Sequence, residues 1–367
     1  MSQKNKSSDA KLHFSSSVAD DVWHPRDEPS AYEWWYFDAV SDDGRDALVI
    51  IFLDNFIFSP RYNSVQSSKF KTQNSNPASE KFPAVVFCYY RDGKLLYRAI
   101  NEFTGEEFTA RTDFPACRIG ASDFHFEATP YGIRYILNVN ADLRGNLKIN
   151  AALEWLIVER DFQPINERSS LSDAHYWNLS APRSDVTGKI TISDKNNESK
   201  ELLQFRGTGY HDHNQDARWI PATIAEWQWG RAHFADVTAI FYRYREIGEV
   251  KPETLLLIVK DEKLSINNAV CSVAKFRRNR FGIKYPQTLE FLTKENFALS
   301  VKHTRTIDAS FFYLRFLSEM RLDLGDGQTR EVVGISEQLA PRSLRWRGLD
   351  WLVNMRIGRG GKGAFLP

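Results

Sequence analysis

Short runs rich in β-branched and aromatic residues, each closed by a turn signal, recur along almost the whole chain and leave little room for helix. AVVFCYYRDGKLLYRAI is two such runs around Asp92-Gly93, a strong hairpin signal. YGIRYILNVNA and KINAALEWLIVER flank Gly145-Asn146, and KITISDKNNESKELLQF folds about a polar tip. VTAIFYRYREIGE, TLLLIVKDEKLSI and FFYLRFLSEMRLDLGDG carry the pattern to residue 327. Many short strands with turns between them predict antiparallel barrels or sandwiches. At 367 residues the chain is long enough for two such units or one large β domain.

Several function classes are excluded by composition and motif. A formal net charge of +1 lacks the electrostatic footprint of a nucleic-acid binder, so no nucleic-acid partner is expected. Cys88, Cys117 and Cys271 are odd in number and scattered, which fits a reducing compartment and a cytoplasmic location. The polar start MSQKNKSSDAKLHFSSS has no apolar core of a signal peptide and is expected to be a disordered leader over residues 1–20. ALVIIFLDNFIF is broken by Asp54 and Asn55 and is too short to span a bilayer. The chain contains no phosphate loop, nucleophile elbow or dinucleotide fingerprint. Residues 64–83 read as a polar loop, a flap or an insertion.

Chemistry concentrates in Gly209-Tyr210-His211-Asp212-His213-Asn214. On a strand, Tyr210, Asp212 and Asn214 share one face, and His211 and His213 the other. Two His at i, i+2 are compatible with a metal, but no third ligand stands at a companion spacing, so no metal is expected. A hydrogen-bonded polar turn is the plainer alternative. His175 and Trp177, again at i, i+2, favour a working site, as do the aromatic runs AYEWWYF and TIAEWQWGRAHF. These supply Trp34, Trp35 and Tyr36, then Trp227 and Trp229 with Arg231, as candidate substrate contacts beside Asn214. A carboxyl enclosed by aromatic walls stays protonated near neutral pH, and ring faces stabilise a nearby cation. Together they suit protonation of a carbon–carbon double bond, with no cofactor required.

EWWYFDAVSDDGRDALVIIFLDNFIFSPRY, HYWNLSAPRSDVTGKI, GTGYHDHN, EWQWGRAHF and FYLRF, in that order, resemble the successive signatures of the carotenoid 1,2-hydratases, or hydroxyneurosporene synthases. The resemblance spans about residues 22 to 360. It implies an all-β fold of two tandem lipocalin-like antiparallel barrels with a short C-terminal helical segment. The superfamily also holds cyclases, pericyclases and lipocalin-like proteins of unknown role, so fold is implied more firmly than reaction. The His-x-Trp and Tyr-x-Asp pairs implicated in hydratase catalysis fall on His175, Trp177, Tyr210 and Asp212. Hydratases often continue GYHDxNWG, whereas Gln215-Asp216 follow here.

The implied activity is a hydro-lyase reaction on an acyclic carotenoid or related apolar isoprenoid. Asp212 would protonate the terminal alkene and Tyr210 would orient Asp212. Trp177 would stabilise the cation, and His175 would place the water. A cyclase or pericyclase, or a non-catalytic binding protein for an apolar ligand, are the alternatives. The expected units are residues 21–185, 186–340 and a basic segment, 341–367, with the boundary between Pro182 and Gly188. In that last segment six Lys or Arg stand against one Asp, without a clean amphipathic face. It is expected to cap the barrel, or to touch anionic lipid as a peripheral membrane contact through residues 341–362.

Overall fold

The structure, a computed structural model, describes residues 12–69, 80–158 and 174–366 apart from 195, 197 and 361. Its first half is one mainly antiparallel sheet. The strands are β1 (Leu12–Ser15), β2 (Tyr32–Ser41), β3 (Asp46–Leu53), β4 (Ala84–Arg91), β5 (Lys94–Glu102) and β6 (Phe108–Ala110), followed by β7 (Ala116–Ile119), β8 (Ser122–Thr129) and β9 (Gly132–Asp142). β10 (Lys148–Ile157), β11 (His175–Ser193) and β12 (Ser199–Asp216) complete the run. Across the sheet the order is β5-β4-β3-β2-β12-β11-β10-β9-β8-β7-β6, with β1 parallel to β11. This sheet curls around its own core of Trp35, Phe37, Tyr135 and Trp155. The second half, β13 (Ile224–His233), β14 (Thr238–Glu246), β15 (Glu253–Lys260), β16 (Lys263–Arg278), β17 (Lys284–Thr293), β18 (Ala298–Ala309), β19 (Tyr313–Asp323) and β20 (Thr329–Leu339), closes into an eight-stranded barrel. The architecture is the all-β, lipocalin-like one.

Local chemistry accounts for these elements. β10 alternates exposed and buried residues along its length, as a strand with one core face must. Asp92 and Gly93 both take positive φ, 51° and 69°, which matches the twist of the β4–β5 hairpin. Gly209 is required by close approach, since a Cβ there would lie 2.5 Å from both Trp155 Nε1 and Val186 Cγ2.

Three expectations about organisation change. The boundary placed near residue 185 falls inside β11, and the first sheet runs on to Asp216. Pro182 breaks pairing only locally, where the β11–β12 register slips between Asn178 and Ser184. The leader expected to be disordered to residue 20 contributes β1 and a 3₁₀ turn at Val18–Asp20. Its polar groups are used, Ser15 Oγ and Ser17 N both bonding Asn178 Oδ1; residues 1–11 lie outside the described residues. The polar loop expected over 64–83 starts as helix α1 (Pro60–Lys69), and residues 70–79 lie outside the described residues.

The basic C-terminal segment caps the cavity described below. It folds as two 3₁₀ turns, Pro341–Arg345 and Arg347–Leu349, and a short helix, Asp350–Asn354, then pairs Gly358–Arg359 parallel to β5. Leu344, Val353 and Ile357 are buried, while Trp346 and Trp351 remain 66% and 56% exposed. Among the described residues, no helix is long and apolar enough to cross a membrane.

Candidate active site

β12 runs between β11 and β2, and from Gly209 to Asn214 both of its faces are covered. Its registers set Asp212 opposite Tyr36, Asn214 opposite Trp34 and His213 opposite Trp35. Cross-strand partners share a face, so Asp212, Asn214, Trp34 and Tyr36 point together toward the barrel. They line a cavity of about 1210 Å³, including its open mouth, between sheet and barrel. An interface between units is a preferred place for such a space. Trp227 and Trp229 of β13 complete the polar end, and Phe56, Phe58, Phe311 and Phe312 belong to the apolar remainder. Trp34 and Trp227 lie 5.5 Å apart between ring centroids, and Tyr36 and Trp229 5.4 Å.

The Asp212 carboxyl is held at three points. Trp177 Nε1 and Tyr210 OH each donate to Oδ2 at 2.8 Å, and Asn214 Nδ2 donates to Oδ1 at 3.0 Å. Burial raises its pKa to about 7, the Tyr210 and Trp177 hydrogen bonds oppose the rise, and the carboxylates of Glu337 and Asp38 add to it. His175 stands one step back, with Nε2 2.8 Å from Tyr242 OH and 3.2 Å from Asn214 Oδ1. Burial, with Arg218 nearby, lowers its pKa to about 3, so it is a neutral imidazole.

The raised Asp212 pKa has a thermodynamic consequence. The fold favours the protonated acid, so its ionisation costs stability as pH rises from the ordinary carboxyl range to about 7. Asp212→Asn has nothing to ionise there. Whatever constant offset the amide introduces, the melting temperature of the variant minus that of the parent should therefore climb between about pH 4 and pH 7 and level off above. A pH-independent difference in parallel melts would contradict this account.

Four sequence-derived expectations are redistributed. Trp177 and Tyr210 lie behind Asp212 rather than on the cavity wall, and Trp177 stacks on Tyr242 with centroids 4.4 Å apart. His175 reaches the acid only through Asn214. Trp35 faces the opposite core, where its ring stacks on His213 and its Nε1 bonds Asp21 O. β2 is buried on both faces, so its aromatic run gave no sign of which rings look inward. Arg231 is consumed by a buried ion pair with Asp38 and does not line the cavity. Tyr242 and the C-terminal lining residues were not anticipated. The alternation of Tyr242 with Tyr244 in FYRYRE was the available signal for the first.

On the far face of β12, His211 and His213 meet acids from the leader and β2. His211 Nε2 is 2.9 Å from Asp21 Oδ2, and His213 lies between Asp21 Oδ1 at 3.3 Å and Glu33 Oε1 at 2.7 Å. Burial alone would lower the His213 pKa, but Glu33 and Asp21 outweigh it and raise it to about 9. His24, Glu33 and His213 offer possible metal-ligand atoms within 4.8 Å of one another. His213 Nε2 meets Glu33 Oε1 as a close ion-pair contact without hydrogen-bond geometry, and His24 Nδ1 lies 3.0 Å from the same oxygen. The cluster ties the leader and β2 to β12.

A curled sheet and a closed barrel that share one largely apolar cavity, with Asp212, Asp308 and Glu337 as its carboxyls, define a lipocalin-like fold. Solved structures share the architecture: a putative AttH from Nitrosomonas europaea (TM-score 0.58, 15% identity, 88% of this chain and 95% of that one). CghA with Sch210972 gives a TM-score of 0.51 at 13% identity, over 85% and 89%. These likenesses concern the fold alone. The chain belongs to the carotenoid hydratase CrtC family, whose profile matches residues 142–365. Hydroxyneurosporene dehydrogenase of Chlorobaculum tepidum is 28% identical over 359 residues, 96% of this chain and 93% of its own. The acyclic carotenoid 1,2-hydratases of Rubrivivax gelatinosus and Thiocapsa roseopersicina are 25% and 26% identical over 59% and 58% of this chain. The matched regions are 49% and 47% of those two proteins. Family membership supports a carotenoid hydratase-type enzyme.

Proposed function

We propose that this protein adds water to the terminal double bond of an acyclic carotenoid or related isoprenoid, without a cofactor. The observation that carries the reading is one buried carboxyl, with its pKa raised to about 7, on the wall of an aromatic cavity. Asp212 gives its proton to the less substituted alkene carbon, and the π electrons form the new C–H bond. The tertiary cation left behind faces Trp34, Tyr36, Trp227 and Trp229, whose ring faces stabilise it by roughly 1–2 kcal/mol each where desolvated. Water bonds to the cation and returns a proton to the Asp212 carboxylate, so the sum is alkene plus water to tertiary alcohol. Trp177, Tyr210 and Asn214 are positioning residues that aim the carboxyl, and His175 with Tyr242 positions Asn214.

Trp346 and Trp351 give the segment that closes the cavity an apolar outer face among cationic neighbours. This supports peripheral contact with a membrane surface, from which such a ligand would be drawn. The functional test is the product formed from lycopene or neurosporene in a carotenoid-producing host that lacks its own hydratase. A hydroxylated acyclic product is expected. A ring would indicate a cyclase, and unchanged substrate with tight binding would indicate a carrier.

A further inference from the structure

Beyond the acid, the cavity wall changes character at the part lined by the C-terminal segment. Arg98, Asp308 and Arg356 join Phe281, Leu352 and Val353 on the lining there. Arg98 and Asp308 pair at 2.5 Å and satisfy one another. Arg356 is the odd charge. Its Nε is enclosed and has no hydrogen-bond partner among the described residues, and Asp308, the acid nearby, is committed to Arg98. Burial, with Arg98 and the exposed Arg280 close by, works against its charge. A half-buried guanidinium with an enclosed, unpartnered donor thus stands on the wall of a mostly apolar cavity, and its planar fork of donors matches the oxygens of a carboxylate or phosphate.

We propose that Arg356 binds an oxyanion carried by the ligand itself, so that the cavity takes an amphiphilic acyclic isoprenoid with its alkene end at Asp212 and a carboxylate or phosphate at Arg356. The alkene end of this assignment rests on the hydratase reading; the anionic end does not. The segment that covers the cavity thereby also reads the far end of the ligand.

Equilibrium binding tests this without turnover. Geranylgeranoic acid, geranylgeranyl phosphate and geranylgeraniol share one acyclic skeleton and can be titrated calorimetrically at about pH 8, where both acids are ionised. The parent should bind an anionic form at least about tenfold more tightly than the alcohol. Arg356→Gln should remove that preference while leaving alcohol affinity within about twofold, and Arg356→Lys should keep most of it. Asp212→Asn should keep the preference in full, so a failed hydration assay and a failed anion preference remain separate results. The proposal is overturned if the parent binds alcohol and anions equally, if Arg356→Gln retains the preference, or if that variant loses the alcohol as well. Arg356-dependent sedimentation with phosphatidylglycerol vesicles, without any preference among the soluble ligands, would also overturn it by placing the oxyanion on a lipid surface.

Discussion

Asp212→Asn should lower turnover by more than the roughly 10²–10⁴-fold that general acid groups contribute, while apolar ligand binding stays nearly intact. Asn is almost isosteric, and it can still meet Trp177 or Tyr210 through its oxygen. What it lacks is a proton acidic enough to pass to carbon. In the proposed reaction protonation creates the cation, so losing the acid raises the barrier itself, whereas the cavity's apolar wall still holds the ligand. Turnover followed by chromatography, beside binding followed by quenching of the cavity tryptophans, separates the two effects. The parent's rate should also fall as pH rises through about 7, because only protonated Asp212 can deliver. A variant retaining a tenth or more of parental turnover would show that the proton comes from another group.

How much of this was legible in the sequence follows from how local each determinant is. Strand period alone divides Tyr210, Asp212 and Asn214 from His211 and His213, and the structure keeps that division. The aromatic partners Trp34, Trp227 and Trp229 were legible for the same reason. The clamp around His213 was not, because Asp21 and Glu33 arrive from the leader and β2, nearly two hundred residues away in the chain. Trp35 misled because a strand buried on both faces gives no polar phase to read. Pro182 misled in the opposite sense, since a proline in a long hairpin produces a bulge rather than a boundary. The C-terminal segment has no clean amphipathic face because it is two 3₁₀ turns and one short helix, whose inward side chains do not share one period. Arg231 belongs with these failures of distance. It lies one strand period beyond Trp229, yet its partner Asp38 is 193 residues away.

That pair carries the other large expected effect. Asp38 of β2 and Arg231 of β13 are both almost fully buried, and they join the first sheet to the barrel. Arg231→Met keeps much of the packed stem but leaves the Asp38 carboxylate enclosed without its cation. Breaking a buried pair from one side costs roughly 3–5 kcal/mol. Burial already raises the Asp38 pKa, with Arg231 opposing that rise, so the variant's carboxyl should take up a proton at a higher pH than the parent's. Its folded pKa then stands above the unfolded value, and the folded state prefers the neutral acid. The deficit should therefore be small near the ordinary carboxyl pKa and grow as pH rises toward the new folded value. Arg231→Met combined with Asp38→Leu removes both charges and should recover much of the loss, since replacing a buried pair by apolar side chains is often neutral. Denaturant melts of the parent, the single variant and the double variant at about pH 5 and pH 8 measure all three terms. An Arg231→Met protein within about 1 kcal/mol of the parent at the higher pH, or a double variant no more stable than the single, would mean that this ion pair does not hold the two halves together.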